Sequence, residues 1–142
     1  MAQVQLADSE KSILKCWEVL YALRPHLVKS EFLSLIKKMQ ADKYVLLFIE
    51  GEGKALAALG FVEGINLHRG KYIYIDDLST LSDHRGKGLA TSLLNWVFDY
   101  AKQNGVEQVH LDSGVQRFDA HRLYLNYGFH ISSHHFVKPI QL

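Results

Sequence analysis

The sequence predicts an α/β (α+β) domain in which helices flank a mixed β-sheet. Three observations favour this class. Apolar residues recur at helical spacing in several segments, short runs rich in aliphatic and aromatic residues lie between them, and glycines punctuate the connections. The expected order of elements is β-α-α-β-β-β-α-β-α-β. A chain of 142 residues suits one compact core, so we expect a single domain over residues 1–142.

Two helices are predicted in the N-terminal third. Apolar residues recur at helical spacing from Asp8 to about Leu23, and Pro25 then ends the pattern. A second amphipathic segment follows, with Ser30 as the expected N-cap. Its apolar positions are Phe32, Leu35, Ile36 and Met39.

Three strands are predicted next. Residues 44–50 and 55–62 are apolar and flank Gly51-Glu52-Gly53-Lys54, which is a hairpin signature. Residues 71–81 form a third strand, rich in Tyr and Ile. Strict alternation divides this third strand between two faces, with Tyr72, Tyr74, Asp76 and Leu78 on one and Ile73, Ile75, Asp77 and Ser79 on the other.

The C-terminal half begins with a loop at residues 82–88 that feeds a strong helix ending near residues 104–105. Residues 106–111 are a short strand. A short helix over 119–127 follows, and residues 129–137 resemble a final strand or hairpin.

Composition excludes several classes of protein. The formal charge is +1 and charged residues make up 22% of the chain, which favours neither nucleic acid nor an anionic membrane as partner. The longest apolar runs fall far short of a membrane span, and Cys16 is the single cysteine. With no signal-peptide pattern at the N-terminus, we expect a cytoplasmic protein. No Cys or His spacing matches a zinc pattern, so we expect no metal.

The loop Arg85-Gly86-Lys87-Gly88 before a helix predicts a phosphate site. Glycines let backbone amides converge, and the start of the helix adds unpaired N–H groups and a positive dipole end. The loop lacks the spacing of a P-loop, and Thr91 stands where a dinucleotide fingerprint needs its third glycine. A general nucleotide-phosphate binder is one alternative for such a loop.

Motifs on both sides of this loop indicate a family. Arg85-x-x-Gly88-x-Ala90 matches the acyl-CoA signature [Gln/Arg]-x-x-Gly-x-[Gly/Ala], residues 74–78 resemble the strand before it, and residues 120–129 match Ala-x-x-x-Tyr-x-x-x-Gly-Phe. Over residues 44 to 130 the sequence therefore resembles the GNAT superfamily of N-acetyltransferases. The resemblance implies a mostly antiparallel sheet that splays between strands 4 and 5.

The resemblance also implies acetyl-CoA as the acyl donor. Backbone groups of Leu78, Ser79 and Thr80 would pair with the pantetheine arm. The pyrophosphate would bind to the loop and the first turn of the helix, formed by Arg85, Gly86, Lys87, Gly88, Leu89, Ala90 and Thr91.

Catalytic and acceptor residues are carried over in the same way. Tyr124 falls on the family's tyrosine and would protonate the departing thiolate. Asp76 is the first candidate for general base, acting through water, and Asp77 and Asp112 are alternatives that would otherwise bind the acceptor. Tyr74, which precedes Asp76 by two residues, would line the acceptor site.

The implied reaction is acetylation of a primary amine, and the acidic pair Asp76-Asp77 favours a small cationic acceptor. Acetylation of a protein N-terminus or lysine is an alternative. A non-catalytic acyl-CoA sensor on the same scaffold is another. The family also makes a homodimer possible.

Overall fold

A computed structural model describes residues 3–141 of the chain. The elements are β1 (Val4–Leu6), α1 (Glu10–Lys15), α2 (Trp17–Leu23), α3 (Lys29–Ala41), β2 (Val45–Gly51), β3 (Lys54–Asn66), β4 (Gly70–Thr80), α4 (Leu89–Gln103), β5 (Gln108–Leu111) and α5 (Phe118–Tyr127), with one turn of 3₁₀ helix at Ser82–His84. Contacts divide the chain into two compact units, the first ending at Leu111 and the second beginning at Asp112. One domain over the whole chain stays a prediction.

The first unit is built on a five-stranded sheet in the order β1-β2-β3-β4-β5. All neighbours are antiparallel except β4 and β5, which are parallel, so the mixed and mostly antiparallel sheet is confirmed. Pairing of β4 with β5 ends at Ile75↔Leu111, whereas β4 continues to Thr80. The last part of β4 therefore pairs with β3 alone among the described strands, which is the expected splay.

Helices cover both faces of this sheet. On one face, α1 to α3 pack through residues such as Phe32 and Ile36 against Phe48 of β2. On the other face, α4 places Trp96 and Tyr100 against Phe61 of β3, with ring centroids 6.3 Å and 5.7 Å away. The sheet is thus the middle of three layers, and its central strands are buried on both sides.

The N-terminal helices differ from the sequence prediction in two respects. The helix expected from Asp8 to Leu23 is two helices, because Cys16 donates its N–H to Ile13 O three residues back and so tightens the chain into a 3₁₀ turn. The N-cap of α3 is Val28, in extended conformation, and not Ser30. Cys16 is fully buried, which raises the pKa of its thiol to about 12 and confirms it as a small core residue.

A β-bulge in β4 overturns the face assignment made from strict alternation. Gly60 pairs with Asp77 and Phe61 pairs with Ile75, so Asp76 is an extra residue with no partner on β3. Beyond the bulge, each residue of β4 lies on the face opposite to the one that strict alternation predicts. Asp77 and Ser79 therefore share the face of Tyr74, which α1 to α3 cover, whereas Leu78 shares the face of Ile75.

The strand predicted over residues 129–137 is wrong. Residues 129–141 form neither helix nor strand, and large apolar side chains there, including Ile131 and Phe136, are exposed. The second unit contains no strand among its described residues. A strand needs a neighbour for its backbone hydrogen bonds, and in this unit the segment has none.

Candidate active site

The last residues of β4 form an open strand edge. Leu78, Ser79 and Thr80 pair with Leu59, Ala58 and Ala57 of β3 on one side, and no described strand pairs with them on the other. Backbone N–H and C=O groups that face away from β3 at such an edge are donors and acceptors for a ligand. The structure thus places the three residues predicted to meet the pantetheine arm on one unpaired strand edge.

The loop after β4 leads directly into an uncapped helix. Gly86 and Gly88 have φ of 76° and 79°, and a Cβ on either would meet no atom within 4 Å. The glycines are thus required by the left-handed backbone, and crowding plays no part. Gly88 is the N-cap of α4, no side chain of residues 3–141 caps the helix, and its first turn holds no acidic residue. The N–H groups of the first turn are available to an anion.

Two cationic side chains belong to this loop. Arg85 is exposed and donates Nε–H to Thr80 O at 3.3 Å, which ties the loop to the end of β4. Lys87 is exposed, and its Nζ lies 3.5 Å from His84 Nδ1. His84 Nε2 in turn lies 3.7 Å from Glu52 Oε2 in the turn between β2 and β3. The loop therefore presents positive charge beside uncapped amides, an arrangement suited to a pyrophosphate.

Asp77 is held inside the protein by two side chains. Tyr44 Oη–H donates to Asp77 Oδ2 at 2.7 Å, and Arg24 Nε–H donates to Asp77 Oδ1 at 3.2 Å. Burial raises the pKa of Tyr44 well above its ordinary value, and the charge of Asp77 raises it further. We call Arg24, Tyr44 and Asp77 the β4 clamp, because they join the end of α2 and the start of β2 to the centre of β4.

A glycine makes room for the clamp. Gly60 lies opposite Asp77 on β3, and a Cβ there would overlap the Tyr44 ring. The ring can therefore cross the sheet surface only because Gly60 has no side chain. No pattern in the sequence identifies Arg24, Tyr44 and Gly60 as members of one group. Arg24 and Asp77 are 53 positions apart, and no local spacing connects them.

Asp76 differs from its neighbour. Its backbone C=O accepts a hydrogen bond from Arg24 Nη2 at 2.9 Å, but its carboxylate makes no hydrogen bond or ion pair among residues 3–141. Partial burial raises the pKa of the Asp76 carboxyl, the charge of Asp77 raises it further, and Arg24 lowers it. Asp76 is thus a carboxylate of increased basicity beside the open edge of β4.

The first half of β4 carries aromatic side chains. Tyr72 and Tyr74 share one face of the strand, and the Arg69 guanidinium lies 5.3 Å and 5.7 Å from their ring centroids. His110 of β5 meets the Tyr72 ring edge-on at 6.3 Å. Tyr74 therefore belongs to a polar aromatic cluster that adjoins Asp76 along the strand.

Tyr124 lies in α5 of the second unit. Its ring contacts that of Phe129, with centroids 5.8 Å apart. Burial raises the pKa of its hydroxyl, and Arg117 lowers it. Gly128 ends the helix at φ 117°, and the N–H groups of Gly128 and Phe129 both donate to Tyr124 O. The Tyr-x-x-x-Gly-Phe spacing therefore also closes a helix end.

Asp112 is also in the second unit. Its Oδ2 lies 3.3 Å from His135 Nδ1. Within the described part of the chain, no group of three or more His, Cys, Asp or Glu residues is arranged to hold a metal ion. Nor does any helix of residues 3–141 have both the length and the apolar character needed to span a membrane.

A mixed sheet that opens beside one strand, followed by a glycine loop and an uncapped helix, is the arrangement that the sequence resemblance implies for an acyltransferase. The family model for the acetyltransferase (GNAT) family matches residues 11–129. The chain belongs to this family and is an N-acetyltransferase.

The chain is similar to several known proteins, of which three are described. The "Uncharacterized N-acetyltransferase YhdJ" of Bacillus subtilis (strain 168) is 32% identical over 142 residues, 99% of this chain and 100% of that protein. The aminoalkylphosphonate N-acetyltransferase of Salmonella typhimurium is 32% identical over 89 residues, 62% of this chain and 58% of that protein. The structure of aminoglycoside N-acetyltransferase AAC(6')-Iy with CoA has a TM-score of 0.82 at 14% identity and covers 100% of this chain and 97% of that one, a likeness of fold.

Proposed function

We propose that the protein transfers an acetyl group from acetyl-CoA to the primary amine of a small molecule that binds as an ammonium cation. The observation that carries this proposal is the open edge of β4, which continues into the uncapped start of α4. At one end of this path the edge of β4 is unpaired. At the other end lie the backbone amides at the start of α4 and the two cations of the loop. A long donor with amide groups and a pyrophosphate matches both ends.

The residues of β4 and of the loop after it are suited to bind acetyl-CoA. Backbone groups of Leu78, Ser79 and Thr80 would hold the pantetheine amides by adding a strand-like partner to β4. The pyrophosphate would bind to the amides from Gly86 to Thr91, with Arg85 and Lys87 supplying charge. Gly86 and Gly88 adopt the left-handed conformation with which this loop leads into α4.

The acceptor amine must lose a proton before it attacks. An alkyl ammonium group has a pKa of about 10 and carries no lone pair for the thioester carbonyl. Asp76, directly or through water, accepts that proton, and its increased pKa makes it a better base than an ordinary aspartate. Asp77 serves this role less well, because Arg24 and Tyr44 already occupy its carboxylate.

The rest of the reaction is a direct transfer. The amine nitrogen forms a bond to the thioester carbon, the carbonyl oxygen becomes an oxyanion, and the C–S bond then breaks. The electron pair leaves on the CoA sulfur, and the Tyr124 hydroxyl gives that sulfur its proton. The attacking nitrogen loses its second proton to water as the amide forms, and Tyr124 regains a proton from water. A tyrosine hydroxyl is protonated at neutral pH and can donate, and burial, which raises the pKa of Tyr124, keeps it in that form while making it a weaker acid.

The names of two relatives support a small acceptor. One acts on aminoalkylphosphonates and the other on aminoglycosides, and both kinds of molecule carry primary amines. In this chain, the unpaired carboxylate of Asp76 is a suitable partner for an ammonium group. We place the reaction in the cytoplasm, where the single buried thiol of Cys16 would stay reduced. A homodimer stays a prediction.

The test is a thiol-release assay with acetyl-CoA and a panel of amines. We expect free CoA with at least one small amine and none without an acceptor. Release with a short peptide alone would favour a protein acceptor. An acetyl-CoA thermal shift without release from any amine would favour the sensor alternative. The absence of both signals, or an equal shift with ATP, would contradict the proposal.

A further inference from the structure

Arg69 is a cation beside the first half of β4. It lies in the turn between β3 and β4, and its backbone N–H donates to Asn66 Oδ1 at 2.7 Å. Its guanidinium carbon lies 5.3 Å from the ring centroid of Tyr72 and 5.7 Å from that of Tyr74. The turn therefore fixes one end of this residue and two aromatic rings fix the other.

The charge of Arg69 is not neutralised within the described residues. No carboxylate of residues 3–141 lies within ion-pair distance of its guanidinium, and the side chain makes no hydrogen bond there. The nearby cation Lys71 contrasts with it, because Lys71 Nζ lies 3.4 Å from Glu63 Oε2 and also donates to Asn104 O. Stacking uses the faces of a guanidinium and leaves its N–H edge for a bidentate anion.

Arg69 and Asp76 bear opposite charges at two points along β4. Tyr74 precedes Asp76 by two residues, which corresponds to about 7 Å along a strand. Tyr72 precedes Asp76 by four residues, which corresponds to about 13 Å. The guanidinium lies beside both rings, which places it toward the start of β4 relative to Asp76. An acceptor whose amine reaches Asp76 can therefore extend back along β4 toward Arg69.

We propose that the acceptor carries an anionic group, a carboxylate or a phosphonate, which Arg69 binds while the amine faces Asp76. This inference rests on the proposed function and narrows its substrate class to ω-amino acids and aminoalkylphosphonates of sufficient length. Arg69 is then a specificity residue. Its guanidinium fork selects a planar or tetrahedral oxyanion, and Tyr72 and Tyr74 hold the fork in place.

The experiment compares matched acceptors. Wild-type protein is assayed by thiol release with ω-amino acids of two to six carbons, aminoalkylphosphonates of the same lengths, and the corresponding alkylamines and diamines. We expect kcat/KM for at least one anionic acceptor to exceed that of its matched alkylamine by about 10- to 100-fold, the size typical of a hydrogen bond between charged groups. The preferred length then measures the distance from Arg69 to the reacting nitrogen.

Three substitutions separate recognition from folding. Arg69→Gln should remove most of the preference for the anionic acceptor, chiefly through KM, and Arg69→Lys should restore part of it. Lys71→Gln removes an equal charge that already has partners, so the preference should persist in it. Thermal unfolding of each variant shows whether the fold is intact, and Arg69→Lys keeps the test decisive if Arg69→Gln is unstable.

Every outcome of these assays either supports the anion site at Arg69 or overturns it. Equal use of anionic acceptors and matched alkylamines by the wild type overturns it, and so does an Arg69→Gln variant that keeps the preference. If no amine releases thiol, the proposed function fails. Calorimetric binding of the same acceptors to wild type and Arg69→Gln then still decides, because equal affinities would exclude an anion site at Arg69.

Discussion

Tyr44→Phe is the sharpest test of the β4 clamp. The substitution removes one oxygen atom and leaves the ring, which is 5% exposed, in place over Gly60. It deletes the 2.7 Å hydrogen bond to Asp77 Oδ2 and leaves Arg24 as the remaining partner of that carboxylate. The change thus isolates one charge-assisted hydrogen bond in a partly buried position.

A hydrogen bond to a charged group contributes about 1.5–3 kcal/mol to stability. Unfolding a chain of 142 residues has an entropy of about 0.3 kcal/mol/K, so we expect Tyr44→Phe to lower Tm by about 5–10 °C. The assay is urea unfolding together with a thermal scan. The matched control is Tyr21→Phe, which removes a hydroxyl from a ring that is 44% exposed and should change stability by less than about 0.5 kcal/mol.

Alkaline pH gives an independent check. The pKa of Tyr44 in the folded protein lies above its ordinary value of 10.0. A raised pKa contributes stability that is complete below pH 10 and declines as the pH rises toward the folded-state pKa, because only the unfolded chain ionises there. The stability gap between wild type and Tyr44→Phe should therefore narrow above pH 10. A gap below about 0.5 kcal/mol at pH 7, or one equal to that of the Tyr21→Phe control, would refute the hydrogen bond as a stabilising contact.

Three further outcomes are expected. Asp76→Asn should lower turnover and remove the acidic limb of the pH–rate profile. Its stability at pH 7 should be equal to that of the wild type or slightly higher, because the folded site disfavours the ionised carboxyl. An unchanged pH–rate profile would place the base elsewhere. Tyr124→Phe should lower turnover by about 10²-fold with little change in acetyl-CoA affinity, and full turnover would remove its role as proton donor. Gly60→Ala should destabilise the protein at least as much as Tyr44→Phe, because the new Cβ displaces the Tyr44 ring; a near-neutral effect in urea unfolding would contradict that packing.

Local chemistry was predictable from the sequence. The Gly51–Lys54 segment predicts a tight hairpin, and Glu52 and Gly53 do adopt φ of 58° and 77°. The start of α4 after the glycine loop was predictable for the same reason, since a few neighbouring residues determine each conformation. Both features depend on contacts within about four positions, and residue type restricts such contacts strongly.

The clamp and the bulge were not predictable. Alternation along β4 assumes one residue per position on β3, and Asp76 violates it through a hydrogen-bond pattern that only the neighbouring strand defines. The partners of Asp77 come from positions 33 and 53 residues away. The strand predicted over residues 129–137 was wrong for a related reason. A composition that favours β-strands does not provide a neighbouring strand to pair with.

The bulge also bears on how the protein could evolve. Active sites are commonly destabilising, because a residue chosen for chemistry takes the place of one that would pack. Asp76 is an additional residue in its strand, and no position on β3 is given up to accommodate it. Position 76 can therefore change its chemistry while the hydrophobic layers on either side keep their contacts. We therefore expect other substitutions of Asp76 to change the chemistry at this point of the strand with little loss of stability.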